Sequence, residues 1–357
     1  MSMNKEYPGQ RHLPCVWMRG GTSKAAFFLS GDLPADAEAR DRLLLQAMGG
    51  DEPRQIDGIG GGHPLTTKVA VIARSELPGV DIDYLFGQVV LGEGRIDYAP
   101  TCGNILAAVA PFALEEGLLD CRQDRTRVRI RMINTGGLCE AWVETPGGRV
   151  SYRGETRISG VPGTAAPIEL HFSDVAGSSC GALYPTGSKR DVFAGIAATC
   201  IDNGMPVVLL CAADLGVTGY ESPAELDANA PLKARVEEIR LLAGERMGLG
   251  DVRNRVVPKM SLIAAPREGG AIATRTFIPK KCHDAIGVLG AASVATACAD
   301  AGTICRDLVV PPSDGAFSVE HPTGEFTIKL FDNQDGAPGI ALLRTARPLF
   351  RGEVLVV

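Results

Sequence analysis

Two segments of this chain read as helices that are apolar on nearly every side until an acidic residue close to their ends. They are Cys102–Gly117, CGNILAAVAPFALEEG, and Gly287–Gly302, GVLGAASVATACADAG. A helix without a polar face has to be buried on every side, so each segment demands a shell of other elements around it. The two align without a gap: Ala107/Ala292, Val109/Val294, Ala110/Ala295 and Gly117/Gly302 are identical, and Glu115 stands opposite Asp300. One such helix in each half reads as duplication of a unit built round a central helix; chance likeness between alanine-rich segments is the competing reading. Both segments end in glycine, which enters the left-handed region without a Cβ clash and is favoured just past a helix end. Pro111 removes one hydrogen bond and kinks the axis. The apolar pattern continues to Gly117, so a kinked helix is expected there.

The shell is legible as strand-like runs: Val16–Met18, Ala25–Leu29, Val69–Ile72, Tyr84–Leu91, Val128–Ile133, Glu140–Glu144 and Ile168–Phe172 in the first half. Val207–Cys211, Ser261–Ala264, Ala271–Thr276 and Glu325–Leu330 follow in the second. Arg40–Met48 reads as an amphipathic helix and Ala224–Leu242 as a helix. The 357 residues allow two domains. A stretch rich in Gly, Ser and Pro at Asp174–Ser188 marks the break, giving domains over 1–183 and 184–357, with a last strand that returns to the first. The fold class is α/β (α+β), two pseudo-symmetric halves.

Composition excludes several classes of function. Hydrophobic residues make up 45% and charged residues 22%, ordinary for a globular chain with a core. Aromatics are 5% against 43 glycines, so the core is aliphatic and the backbone comes close to itself or to a ligand at many points. The net charge of −6 and the lack of a dense Lys/Arg run argue against nucleic acid as a partner. No charge-free apolar stretch reaches about 18 residues, so no membrane span is expected. The N-terminus lacks the apolar middle of a signal peptide, which predicts a cytoplasmic protein. The ten cysteines form no CxxC and no zinc-finger spacing, so no metal is expected and they read as free thiols, most of them small core residues.

A few residues stand out chemically. Thr101-Cys102-Gly103-Asn104 opens the first buried helix, with Thr101 as the expected N-cap. That places the Cys102 thiol beside unpaired backbone N–H groups and the positive end of the helix dipole, a setting that activates thiols. The same N–H groups suit a carboxylate, and Gly103 lets a ligand approach; a buried structural cysteine is the alternative. Lys68 follows a glycine-rich loop and opens an apolar strand, where desolvation lowers an amine's pKa and makes it a base; a solvated strand-end lysine is the commoner case. Arg19-Gly20-Gly21-Thr22-Ser23-Lys24 gathers two cations and two hydroxyls on a flexible backbone, an anion-binding loop or a polar turn, and Arg19 suits a carboxylate.

Gly177-Ser178-Ser179-Cys180-Gly181 matches G-x-S-x-G, but Tyr184-Pro185 follows where a helix is required, so the serine-hydrolase reading is rejected. Lys280-Lys281-Cys282-His283-Asp284 precedes the second buried helix. There either lysine is able to pair with an anion, with Lys280 taken as a substrate contact. His283 reads equally as a structural or capping residue or as part of a site, and Asp284 is able to cap the helix. Asp202–Pro206 and Glu320–Gly324 read as turns.

At these residues the chain resembles the PrpF family. MRGGTSK (Met18–Lys24), QIDGIGG (Gln55–Gly61), LTTKVAVI (Leu65–Ile72), CGNILA (Cys102–Ala107), IDNGMPVVLL (Ile201–Leu210), RTFIPKKCHDAIGVLGAASVA (Arg275–Ala295) and RTARPLF (Arg344–Phe350) carry the likeness nearly end to end. It is closest to the 4-oxalomesaconate tautomerases and isomerases of aromatic-acid breakdown. The resemblance implies the diaminopimelate-epimerase-like fold, two similar halves each wrapped round a central helix with the active site between them. It places the family's catalytic lysine and cysteine on Lys68 and Cys102. Gly287 stands where an epimerase's second thiol belongs, and Cys282 lies before the helix, so two-thiol inversion is not expected. LTTK departs from LTSK but keeps a hydroxyl at Thr67, and Met132–Gly136 (MINTG) departs from MENTG, losing a carboxylate.

The implied reaction is a 1,3-allylic proton shift on a small unsaturated tricarboxylate without metal or organic cofactor. Lys68 takes the proton, and Arg19, Gly20, Thr22, Ser23, Gly103, Asn104, Lys280 and His283 are the expected substrate contacts. Isomerisation of 2-methylaconitate or aconitate, two-base racemisation, and non-catalytic binding of small anions stay open as alternatives. A homodimer is the assembly allowed for.

Overall fold

On the first strands of this chain apolar residues occupy both alternating sets of positions, so each of these strands has to be covered on two faces. The computed structural model describes residues 9–98, 102–172, 175–313, 315–332 and 338–357. The chain divides into two compact units, Met1–His171 with Arg344–Val357, and Phe172–Leu343. The first unit runs β1 (Arg11–Gly20), β2 (Ser23–Leu29), α1 (Ala37–Met48), β3 (Lys68–Arg74), β4 (Ile82–Val90), β5 (Arg95–Asp97), α2 (Gly103–Glu115), β6 (Arg125–Met132), β7 (Leu138–Glu144) and β8 (Ile168–Phe172). The second runs β9 (Asp191–Phe193), β10 (Ile196–Asp202), β11 (Pro206–Cys211), α3 (Pro223–Ala228), α4 (Ala230–Arg246), β12 (Lys259–Ala264), β13 (Ile272–Phe277), α5 (Val288–Ala299), β14 (Ala316–His321), β15 (Gly324–Asp332) and β16 (Pro338–Arg344). The last strand, β17 (Ala346–Val356), pairs antiparallel with β1 and so belongs to the first unit.

The two faces of the first unit's sheet have different covers. Cys15, Trp17, Ala26, Phe28, Val69 and Val71 pack with Leu43, Leu44, Ala47 and Met48 of α1. The alternate residues Met18, Ala25, Phe27, Ala70, Ile72, Tyr84 and Phe86 are equally buried and face α2, whose residues Ile105–Leu114 are buried without exception. The Phe27 and Phe112 rings, 5.3 Å apart, join strand to helix. Burying each large apolar side chain contributes about 1.5–3 kcal/mol, which stabilises α2 as a central helix although Pro111 lies within it. Gly117 stands past its end at φ 70°, as the helix-stop reading requires. Asp36 caps α1 by accepting the Ala39 N–H at 2.8 Å, so that helix begins three residues before the expected Arg40.

The second unit repeats the pairing order. β1/β2 and β10/β11 are antiparallel, β2/β3 and β11/β12 parallel, β3/β4 and β12/β13 antiparallel. β4/β6 and β13/β14 are parallel, and β6/β7/β8 and β14/β15/β16 antiparallel. α5 is the second central helix, buried from Gly290 to Cys298. Its N-cap is Gly287, and that of α2 is Cys102, the very positions the gapless alignment pairs. Three local expectations are corrected. Asp284 does not cap α5; Gly287 does. α5 ends at Ala299 with Asp300 extended, and Gly302 instead donates its N–H to Asp300 Oδ1. The expected helix over Ala224–Leu242 is two helices, because Pro231 has no N–H for the carbonyl four residues back and its ring crowds that carbonyl; Asn229 ends α3 and caps α4 through the Leu232 N–H. Among the described residues no helix is long and apolar enough to cross a membrane.

Candidate active site

The opening of α2 organises the site. Cys102 is the N-cap residue, extended at φ −134° and ψ 99°, and its half-buried thiol makes no capping hydrogen bond. The first N–H groups of the helix have no partner inside it. Thr101, the cap expected from sequence, lies outside the described residues, and Cys102 takes the capping position itself. The first turn of α2 packs against the tip of the β1–β2 hairpin. A Cβ on Gly20 would stand 2.3 Å from the Asn104 carbonyl oxygen and 3.1 Å from Ile105 Cα. One on Gly21 would stand 2.1 Å from Asn104 Oδ1, so only glycines let the hairpin close on the helix. Asn104 Nδ2 donates to Thr22 Oγ1 at 3.0 Å. Ser23 pairs with Gly20 across the hairpin and therefore shares its helix-facing side; its buried Oγ has no hydrogen-bond partner.

Arg19 does not join this group. One residue from Gly20 along β1, it lies on the opposite face of the strand. Its Nη1 donates to Gly21 O at 2.8 Å, Thr345 O at 3.1 Å and Thr345 Oγ1 at 3.0 Å. It clamps the loop to the segment that enters β17, and burial beside Arg347 lowers its pKa.

Lys68 opens β3 in register with Ala25 on one side and Gln88 on the other, which puts it on the α2 face. It is 7% exposed. Its Nζ donates to Gln88 Oε1 at 2.5 Å and lies 5.4 Å from the centre of the Phe86 ring. Burial pushes the amine's pKa below the ordinary lysine value, and the field of Cys102 pushes it partly back. That coupling brings the two sequence-derived candidates together. Tyr84, also on this face, is fully buried with no partner for its hydroxyl, and burial together with Cys102 holds its pKa well above the usual phenol value. Burial lifts the Cys15 and Cys180 thiols to about 12 and that of Cys282 to about 11.

Several residues around Lys68 were not assigned from sequence. Gln55, at φ 55° and 1% exposed, donates to Thr67 Oγ1 at 2.6 Å and accepts the Gly62 N–H at 3.0 Å. The QIDGIGG segment thus folds round one side chain that supports the residue before Lys68. Asn134 of MINTG accepts from Phe86 N at 2.9 Å and donates to Phe86 O at 2.8 Å, extending the edge of β4 like one more strand residue. Ile133, which stands where MENTG carries its carboxylate, is exposed. The readable signal was a polar residue, Gln88, in the inward register of Tyr84 and Phe86.

In the second unit Lys259 opens β12 as Lys68 opens β3, and burial and Arg240 lower its pKa. His283 is half-buried, its N–H on Thr276 O at 2.8 Å, its Nδ1 accepting from Ala285 N at 2.8 Å, and burial pulls its pKa down. Lys280 is exposed. Cys282 sits in the cluster beneath α4. The Gly177–Gly181 segment is a turn that donates the Ser179 and Cys180 N–H groups to buried Asp202, both at 2.8 Å; no helix follows it, as the rejection of the hydrolase motif requires.

The family model described as PrpF protein matches residues 10–357. A 4-oxalomesaconate tautomerase of Pseudomonas putida strain KT2440 is 55% identical over 98% of this chain and 97% of its own length. A (4E)-oxalomesaconate Delta-isomerase of Novosphingobium sp. strain KA1 is 56% identical over 96% of this chain and 97% of its own length. Among solved structures, a methylitaconate-delta-isomerase superposes with a TM-score of 0.87 at 33% identity, covering 97% of this chain and 96% of that one. A hydroxyproline epimerase, at 14% identity and a TM-score of 0.50 over 97% of this chain and 93% of its own, shares the fold alone. The fold is the diaminopimelate-epimerase-like one.

Proposed function

The chain belongs to the PrpF family, and on that premise we propose that it is an isomerase catalysing a 1,3-allylic proton shift on 4-oxalomesaconate. The observation that carries the reading is Lys68: a buried amine whose pKa burial lowers, on the same face as Cys102 and the opening of a central helix. A neutral amine is a competent base near neutral pH. It takes a proton from the carbon activated by the neighbouring carbonyl and conjugated carboxylates, breaking the C–H bond and leaving a delocalised dienolate. We assign its negative charge to the amides at the start of α2. The proton returns two carbons away, so the double bond moves and no atom is gained or lost.

The relatives named for oxalomesaconate support the substrate through their identity along nearly the whole chain. No thiol stands at the cap of α5, where Gly287 lies, which favours a proton shift over two-thiol inversion. The test is product NMR in D2O with 4-oxalomesaconate. Lys68→Met abolishes both turnover and deuterium entry; wild-type exchange in that variant refutes the reading. Cys102→Ser then assigns the second proton transfer. Lost turnover with retained exchange gives it to the thiol, and retained turnover gives it to Lys68.

A further inference from the structure

We infer that Gln88 is the positioning residue of the base: its amide aims the Lys68 amine and, being uncharged, leaves that amine free to lose its proton. The inference rests on the reading of Lys68 as base. Its own support is geometric. Gln88 Nε2 donates to Thr67 O at 3.0 Å, Pro64 O at 3.3 Å and Val89 O at 3.3 Å. Three carbonyl acceptors settle which way the amide points, since the flipped amide would set oxygen against oxygen. Oε1 is therefore the atom that faces Lys68, at 2.5 Å from Nζ. A neutral amine has two N–H bonds and one lone pair. With one N–H held by Gln88, the lone pair is confined to the remaining directions around Nζ.

The chemistry of the acceptor matters as much as its place. An amide oxygen accepts from ammonium and from amine alike. A carboxylate at the same site would pair with the ammonium, stabilise it and withdraw the base from use at neutral pH. Among the groups facing Lys68, β4 contributes Gln88 and the Phe86 ring, and α2 contributes Cys102. From β2 come Ala25 and Phe27, which are apolar, while Lys24 lies on the other face. Among the described residues no Asp or Glu acts on the amine. Gln55 and Thr67 complete the support from behind, holding the peptide that Gln88 itself grips.

The experiment compares Gln88→Glu, Gln88→Leu and Lys68→Met by the pH dependence of kcat/KM on 4-oxalomesaconate, with circular dichroism confirming the fold of each. In Gln88→Glu the acid limb moves up by about 1 to 3 pH units, so turnover at pH 7 drops by about 10- to 1000-fold and recovers as pH rises. In Gln88→Leu kcat falls at least tenfold at every pH, because an untethered amine samples unproductive directions. An acid limb in Gln88→Glu that coincides with wild type overturns the inference. Should that variant not fold, an unchanged kcat in Gln88→Leu overturns it. Turnover surviving in Lys68→Met refutes the assignment of the base instead, so the two failures are told apart.

Discussion

Replacing Gly20 with alanine tests how the site is built without touching any group that bears a proton. The added Cβ would lie 2.3 Å from the Asn104 carbonyl oxygen and 3.1 Å from Ile105 Cα. Ordinary contacts between such atoms begin near 3.5 Å, so hairpin and helix must part by roughly 1 Å. Both obstacles are backbone, and no rotamer change relieves them. Overpacking of this kind costs about 1–3 kcal/mol, which at about 2–4 °C per kcal/mol for a chain of this size lowers Tm by roughly 2–12 °C. The same displacement moves the hairpin tip, with Thr22 and Ser23, off the start of α2. A shift near 1 Å in a catalytic constellation costs about 100-fold in rate, so kcat/KM falls by one to two orders of magnitude. Gly352→Ala is the control: nothing lies within 4 Å of its Cβ position, and it leaves Tm and rate unchanged. The assays are thermal unfolding by circular dichroism and steady-state turnover of 4-oxalomesaconate. Wild-type kcat/KM in a folded Gly20→Ala protein refutes the claim that hairpin and helix form one preorganised surface.

Lys68→Met, inactive, is nonetheless more stable than wild type at pH 7 by about 0.5–2 kcal/mol in urea unfolding, because it removes a buried, chargeable amine. The pH dependence of wild-type stability carries the sign. The folded pKa of Lys68 is depressed, so between it and the unfolded value the unfolded chain binds more protons and this residue's contribution to stability rises with pH; the rise is absent in Lys68→Met. Thr67→Val leaves the buried Gln55 amide without its acceptor, costing about 1–3 kcal/mol in denaturant unfolding and lowering kcat through the peptide Gln88 grips. Arg19→Met releases Gly21 O and both oxygens of Thr345; it lowers Tm in thermal unfolding and leaves KM for 4-oxalomesaconate near the wild-type value.

By itself the sequence determined the two central helices, because uninterrupted apolarity round a helix admits no arrangement except full burial. It also determined the duplication: the helix caps fall on the aligned pair Cys102 and Gly287, and the strand pairings repeat in order. The start of α2 was readable to within one residue, with Thr101 expected and Cys102 found at the cap, because a helix start is a local event fixed by a few consecutive residues. What surrounds Lys68 was decided only by tertiary structure. Gln88 is brought to it by the register of β3 on β4, and Gln55 reaches Thr67 across a loop that closes on glycines. Neither relation has a period or spacing along the chain. Arg19 shows the same limit from the other side. Its local context reads as anion binding, yet strand alternation turns it away from α2 and the returning segment before β17 supplies Thr345 as its partner. Residue type and local pattern therefore pick out Cys102 as a candidate, whereas Lys68 is singled out by the family resemblance more than by its local context. The environment that lowers the Lys68 pKa, and on which its proposed role as base depends, is assembled from residues far apart in sequence, because desolvation and a neutral hydrogen-bond partner exist only once the sheet has formed.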